Sequence, residues 1–165
     1  MNQISLSPYW SEEDLHVLAG ITDFLQMVTV GNGILDRMAV KSDKRIVQLC
    51  APMSRGGRGS LDANMAYFRK AQRVASDNGL YLFDQGPFQE AMIRLSAAHE
   101  ERKEYCYDIL HVFYRGIFKS RRIGELMFLP DWETSIGAKW EREEAPAHGL
   151  LITEYPEEWL MLIEE

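Results

Sequence analysis

Ser135, Gly137 and Glu141 are the residues of this chain whose types and spacing most readily do chemistry. They follow Leu126-Met127-Phe128-Leu129, an apolar run that reads as a short buried strand, stopped by Pro130 and a polar turn through Asp131 and Trp132. A serine at a helix entrance offers a hydroxyl and backbone N–H groups to an anion or a sugar. Glu141, on the second turn of that helix, presents a carboxylate to the same space. In an α/β sheet the ligand crevice lies outside the carboxyl ends of the strands, so Trp132, Ser135, Gly137 and Glu141 would form the floor and rim of a pocket.

A second cluster follows another short apolar run, Ile46-Val47-Gln48-Leu49-Cys50. Met53-Ser54-Arg55-Gly56-Gly57-Arg58-Gly59-Ser60 combines glycines, which let backbone approach a ligand, with two arginines whose forked donors match a phosphate or carboxylate. The next helix, from Leu61 or Asp62 to about Asp77, would aim its N-terminus at the same place. The loop is neither a Walker loop nor a Gly-x-Gly-x-x-Gly dinucleotide motif. It reads either as an anion cradle or as a surface loop with solvated arginines. Asp84 and Gln85, after the run Leu80-Tyr81-Leu82-Phe83, are pocket candidates on the same strand-end argument, although a turn cap explains Asp84 equally well. Asp108 falls on the apolar face traced by Tyr105, Ile109, Val112, Phe113, Gly116 and Ile117, where a carboxylate is either bonded structurally or set in a cleft.

The elements that must position these groups alternate. A capped helix start at Ser11-Glu12-Glu13-Asp14 opens an apolar-faced helix expected to stop before Gly31-Asn32-Gly33, with a short strand or more helix from Ile34 to Val40. Strands over 46–50, 80–83, 126–129 and 150–155 alternate with helices after Ser60, from Phe88 to about Ser120, after Ser135 and after Pro156. The Phe88–Ser120 stretch splits into Phe88–Leu95 and a piece from Ala97 onward, and Lys119-Ser120-Arg121-Arg122 reads as a basic helix end. The pattern predicts a parallel three-layer α/β sandwich over 45–165 behind a helical extension over 1–44.

Composition sets the bounds. The 165 residues are 46% hydrophobic and 26% charged, as in an ordinary globular chain, with a net charge of −7. That balance argues against binding a nucleic acid polymer or an anionic membrane, both of which need a broad basic footprint. Cys50 and Cys106 have no partners at metal-ligand spacing and read as buried reduced thiols, and no apolar run approaches a bilayer span, so a cytoplasmic location is expected.

Three pieces together resemble the nucleoside 2-deoxyribosyltransferase superfamily, and within it the small nucleoside 5′-monophosphate N-glycosidases. They are Cys50 to Arg58, Gly79-Leu80-Tyr81-Leu82-Phe83-Asp84, and above all Leu129 to Glu141 with its Ser-x-Gly-x-x-x-Glu spacing. The resemblance implies a Rossmann- or flavodoxin-like fold, no cofactor or metal, and a homodimer. It also implies that Glu141 attacks the anomeric carbon of a nucleotide or nucleoside, displacing the base and forming a glycosyl ester. It implies a second acid on the helix before the motif strand, for which Asp108 is the candidate. Ser135 and the Ser54–Arg58 loop would hold a 5′-phosphate. Relatives often carry an aromatic hydroxyl on the first strand; Gln48 stands here instead. Base transfer between nucleosides, and nucleotide binding without chemistry, are the alternatives to hydrolysis.

Overall fold

The computed structural model describes residues 8–53 and 56–164. Seven α-helices and four strands form among them, and the chain divides into two compact units. The first comprises residues up to Asp43 together with Asp84–Arg122; the second comprises Lys44–Phe83 and Ile123–Glu165.

In the first unit, α1 (Glu12–Gly20) opens with a reciprocal capping box: Ser11 Oγ accepts from the Asp14 N–H at 3.1 Å, and the Asp14 carboxylate accepts from the Ser11 N–H at 2.8 Å. Its carboxyl end is held by Arg94, which donates to the carbonyls of Ile21 and Leu18. Asp23 caps α2 (Phe24–Lys41), whose Phe24, Met27, Val30, Gly31, Ile34, Leu35 and Met38 are buried.

The expected stop before Gly31-Asn32-Gly33 does not occur, because α2 runs through all three residues. Packing explains this. A Cβ on Gly31 would stand 2.8 Å from Ile117 Cδ1, so the glycine marks a close approach to the Arg115–Lys119 helix. The modest helix penalty of glycine is overridden by that contact.

The Phe88–Ser120 stretch also breaks at a different place from the expected Leu95/Ala97 junction. A short 3₁₀ turn, Gly86–Phe88, leads into α4 (Gln89–Glu101), and the interruption falls between Arg102 and Asp108. A π-helical segment, Ile109–Tyr114, then runs into α5 (Arg115–Lys119). The buried set is Cys106, Leu110, Phe113, Ile117 and Phe118, the first four at ordinary helical spacing, so the inner face is rotated from the one traced through Tyr105, Ile109 and Val112, and Asp108, expected on it, is exposed.

The second unit is a parallel sheet of order β2-β1-β3-β4, formed by β1 (Ile46–Cys50), β2 (Tyr81–Leu82), β3 (Ile123–Phe128) and β4 (Leu151–Glu154). β1 matches its expected bounds, β3 begins earlier, at Ile123, and β2 and β4 are shorter than their apolar runs, although the ladder continues through Phe83 N–H to Val47 O, Leu129 N–H to Cys50 O and Tyr155 N–H to Phe128 O, each at 2.9 Å. Alternation divides the residues between two faces. Val47, Leu49, Met127, Leu129 and Tyr155 form one core with Phe68, Ala71 and Ala75 of α3 (Leu61–Asp77) and Ile163 of α7 (Glu157–Ile163). Gln48, Cys50 and Phe128 point the other way, toward α6 (Ile136–Glu144). Helices on both faces of a parallel sheet make this unit a three-layer, Rossmann-like α/β sandwich. In α7 Ile163 is buried, while Leu162 is exposed.

Candidate functional site

The strand order reverses direction at β1. The chain leaves β1 for β2 on one side and later enters β3 on the other, so the β1/β3 boundary is the topological switch point of the sheet. Both strands are buried along nearly their whole length. At their carboxyl ends they release the two segments singled out in the sequence: Ala51-Pro52-Met53 after β1, and Leu129-Pro130-Asp131 after β3.

The β3 exit is built for a sharp turn. Asp131 takes a left-handed conformation (φ 67°), a 3₁₀ turn covers Trp132–Thr134, and Ser135 caps α6 by accepting from the Ala138 N–H at 3.1 Å. The cap occupies an acceptor of the Ser135 hydroxyl and leaves its O–H free to donate elsewhere. Gly137 lies in the first turn of α6, partly buried.

Glu141, one turn further, is buried at 6% exposure. Gln48 Nε2 donates to its Oε2 at 2.5 Å, and the Cys50 thiol lies 3.1 Å from the same oxygen. Burial pushes the Glu141 carboxyl up to about 7, while the bonds from Cys50 and Gln48 work in the opposite direction by favouring the charged form. Burial, reinforced by the neighbouring carboxylate, pushes the Cys50 thiol well above its ordinary value, so it stays protonated and serves as a donor. A buried carboxyl poised near neutrality can exchange a proton or, once ionised, attack an electrophilic carbon.

The neighbouring Arg142 is held by three groups. Its Nη2 bonds Glu154 Oε1 at 2.5 Å, and its guanidinium lies 4.4 Å from the Trp132 ring centroid and 4.8 Å from that of Phe128. Trp132 is therefore a partly buried aromatic at the mouth of the turn, edge-on to Phe128. Arg142 Nη1 is buried with no bonding partner among the described residues, as is Gln48 Oε1.

The two strand-end loops are joined directly. Thr134 Oγ1 accepts from the Gly57 N–H at 2.8 Å and donates to Asp131 O at 2.6 Å. Gly56 sits so close that a Cβ would stand 2.5 Å from Thr134 Oγ1 and 2.6 Å from its carbonyl oxygen, and its φ of +72° independently favours glycine. Buried Asn64, in the first turn of α3, closes the loop from the other side: its amide donates to Met53 O and Gly56 O and accepts from the Arg58 N–H.

Sequence reasoning missed Thr134 and Asn64. The available signal for Asn64 was a polar residue beside Met65 and Phe68, both buried; Thr134 gave none beyond its place before the cap.

The proposed site residues thus fall into groups. Trp132, Ser135, Gly137 and Glu141 share the β3–α6 turn, with Met53, Gly56 and Gly57 in the loop bonded to it. Ser54 and Arg55 lie outside the described residues. Arg58 is turned elsewhere: its guanidinium covers the Tyr67 ring at 4.0 Å and approaches Glu164 at 4.0 Å. With Lys70 and Ile163 these residues line a cleft of about 340 Å³ on the α3/α7 side of the sheet, the face opposite α6. Asp84 and Asp108 belong to the first compact unit. The Asp84 carboxylate accepts from the Gly86 N–H at 3.0 Å, which is the turn-cap geometry. Gln85, also buried, accepts from the Tyr114 hydroxyl at 2.5 Å.

Both cysteines are free and buried. Among the described residues no group of three or more His, Cys, Asp or Glu side chains gathers as a metal site would require, and no helix is long and apolar enough to cross a membrane. Compared with protein families, with curated proteins and with solved structures, the chain matches none.

Proposed function

We propose that the protein is an N-glycosidase that cleaves the base–sugar bond of a nucleoside 5′-monophosphate, with Glu141 as nucleophile. The observation that carries this reading is a buried, bonded carboxyl at the carboxyl end of β1, beside the switch point where α/β sheets take their ligands. In its ionised form, one Glu141 oxygen attacks C1′. The C1′–N bond breaks, and its electron pair leaves with the base, which takes a proton from water. Water then attacks C1′ of the glycosyl ester, releasing the sugar phosphate and regenerating the carboxylate. The Ser135 hydroxyl and the start of the nine-residue α6 are the groups suited to the phosphate and sugar. Base transfer is the same first step, resolved by a second base instead of water.

A non-catalytic nucleotide-binding module is the second reading. It is favoured by one observation: among the described residues no other carboxylate bonds into the Gln48–Cys50–Glu141 cluster to serve as a proton donor. Incubation with each 5′-mononucleotide, with free base read by chromatography, separates the two. Release of base by wild type and not by Glu141→Gln supports the enzyme; tight binding of a nucleotide that survives long incubation unchanged supports the module.

A further inference from the structure

Both donors that reach the buried carboxyl end on one oxygen. Gln48 Nε2 and the Cys50 thiol meet Glu141 Oε2 at 2.5 and 3.1 Å, and among the described residues Oε1 receives no bond. The two donors come from alternate residues of β1, on the same face and 0–1% exposed, so the strand backbone fixes their spacing. A carboxylate held through one oxygen cannot exchange its two oxygens by rotation without breaking both bonds.

We propose that Gln48 and Cys50 are positioning residues that anchor Oε2 and dedicate Oε1 to the attack on C1′; this rests on the glycosidase reading. In the glycosyl ester Oε1 carries the sugar and Oε2 becomes the carbonyl oxygen, still accepting both bonds. When water cleaves the ester at C1′, the electron pair of the C1′–Oε1 bond returns to the carboxylate, and the donors on Oε2 favour its departure. The anchor therefore acts most strongly on the second step. Gln48 also suits both protonation states. Its Nε2 donates to the carboxylate, and its Oε1, buried and without a partner among the described residues, would accept from the protonated acid after a turn of the amide.

The test compares wild type with Gln48→Leu, Cys50→Ala and Cys50→Ser by two independent readouts. The first is the titration midpoint of the Glu141 carboxyl, followed by carbon NMR with selective glutamate labelling. Losing a donor to the charged form should raise it, so that at a pH below the midpoint the ionised fraction falls about tenfold for Gln48→Leu. Cys50→Ala should move it in the same direction, and Cys50→Ser, which keeps a donor, should restore it. The second readout is the fraction of enzyme trapped as glycosyl ester on rapid acid quench, which should increase severalfold in Gln48→Leu with KM for the nucleotide unchanged. An unmoved midpoint in both Gln48→Leu and Cys50→Ala overturns the anchor. So does a raised midpoint with no added ester in an active enzyme. Should Gln48→Leu fail to fold, the Cys50→Ala and Cys50→Ser pair reads the same oxygen. If no nucleotide yields base with wild type, the glycosidase reading falls and the dedication of Oε1 falls with it, whereas base release with an unmoved midpoint overturns the anchor alone.

Discussion

At the scale of single residues, Glu141 links chemistry to stability. Its carboxyl rises from 4.5 to about 7 on folding. Between those values the folded protein keeps a proton that the unfolded chain has released, so stability falls as pH rises through the window and levels off above it. The loss is on the order of 3 kcal/mol. Glu141→Gln should therefore be more stable than wild type at pH 8, with the difference shrinking toward pH 5; paired thermal melts at the two pH values read it. On the proposed glycosidase reading catalysis has the opposite sign, because attack needs the ionised form: kcat/KM should climb with pH to a plateau above about 7, and Glu141→Gln should lower it on the order of 10⁴-fold. The Ser135, Gly137 and Glu141 spacing was legible in the sequence because a helix cap and a one-turn offset are local properties. The Gln48 and Cys50 contacts were not, since both are made across 91 to 93 residues of chain.

At the scale of elements, Thr134 and Asn64 stitch the two strand-end loops together. Asn64 satisfies three backbone groups from a buried position. Asn64→Ala strands those groups and should cost about 2 to 3 kcal/mol, seen as a lower midpoint in urea unfolding. Gly56→Ala meets both a left-handed backbone and the Thr134 carbonyl at 2.6 Å, so it should cost about 2 kcal/mol or more and reduce nucleotide affinity. The strands and the helices after Ser60 and Ser135 were readable from apolar runs and caps. Two helical features were not. The Gly31-Asn32-Gly33 turn signal was overridden by close packing on Ile117, and the inner face of the later helical stretch runs through Cys106, Leu110, Phe113 and Ile117, one residue off the face expected, which leaves Asp108 exposed.

At the scale of the whole molecule, both compact units are assembled from separated stretches of chain, a grouping that composition and periodicity do not encode. The parallel sheet itself follows from strands alternating with helices, whereas its 2-1-3-4 order depends on tertiary pairing. The net charge of −7 belongs to this scale as well: the protein should show no shift with duplex or single-stranded DNA in a gel at near-physiological salt, even while binding a mononucleotide. The proposed covalent step at Glu141 is read by intact-protein mass spectrometry after acid quench of a turnover mixture. The mass should increase by one sugar phosphate, mapped by peptide sequencing to Glu141 and absent in Glu141→Gln. Release of base with equal rates by wild type and Glu141→Gln, or an adduct on another residue, would contradict it.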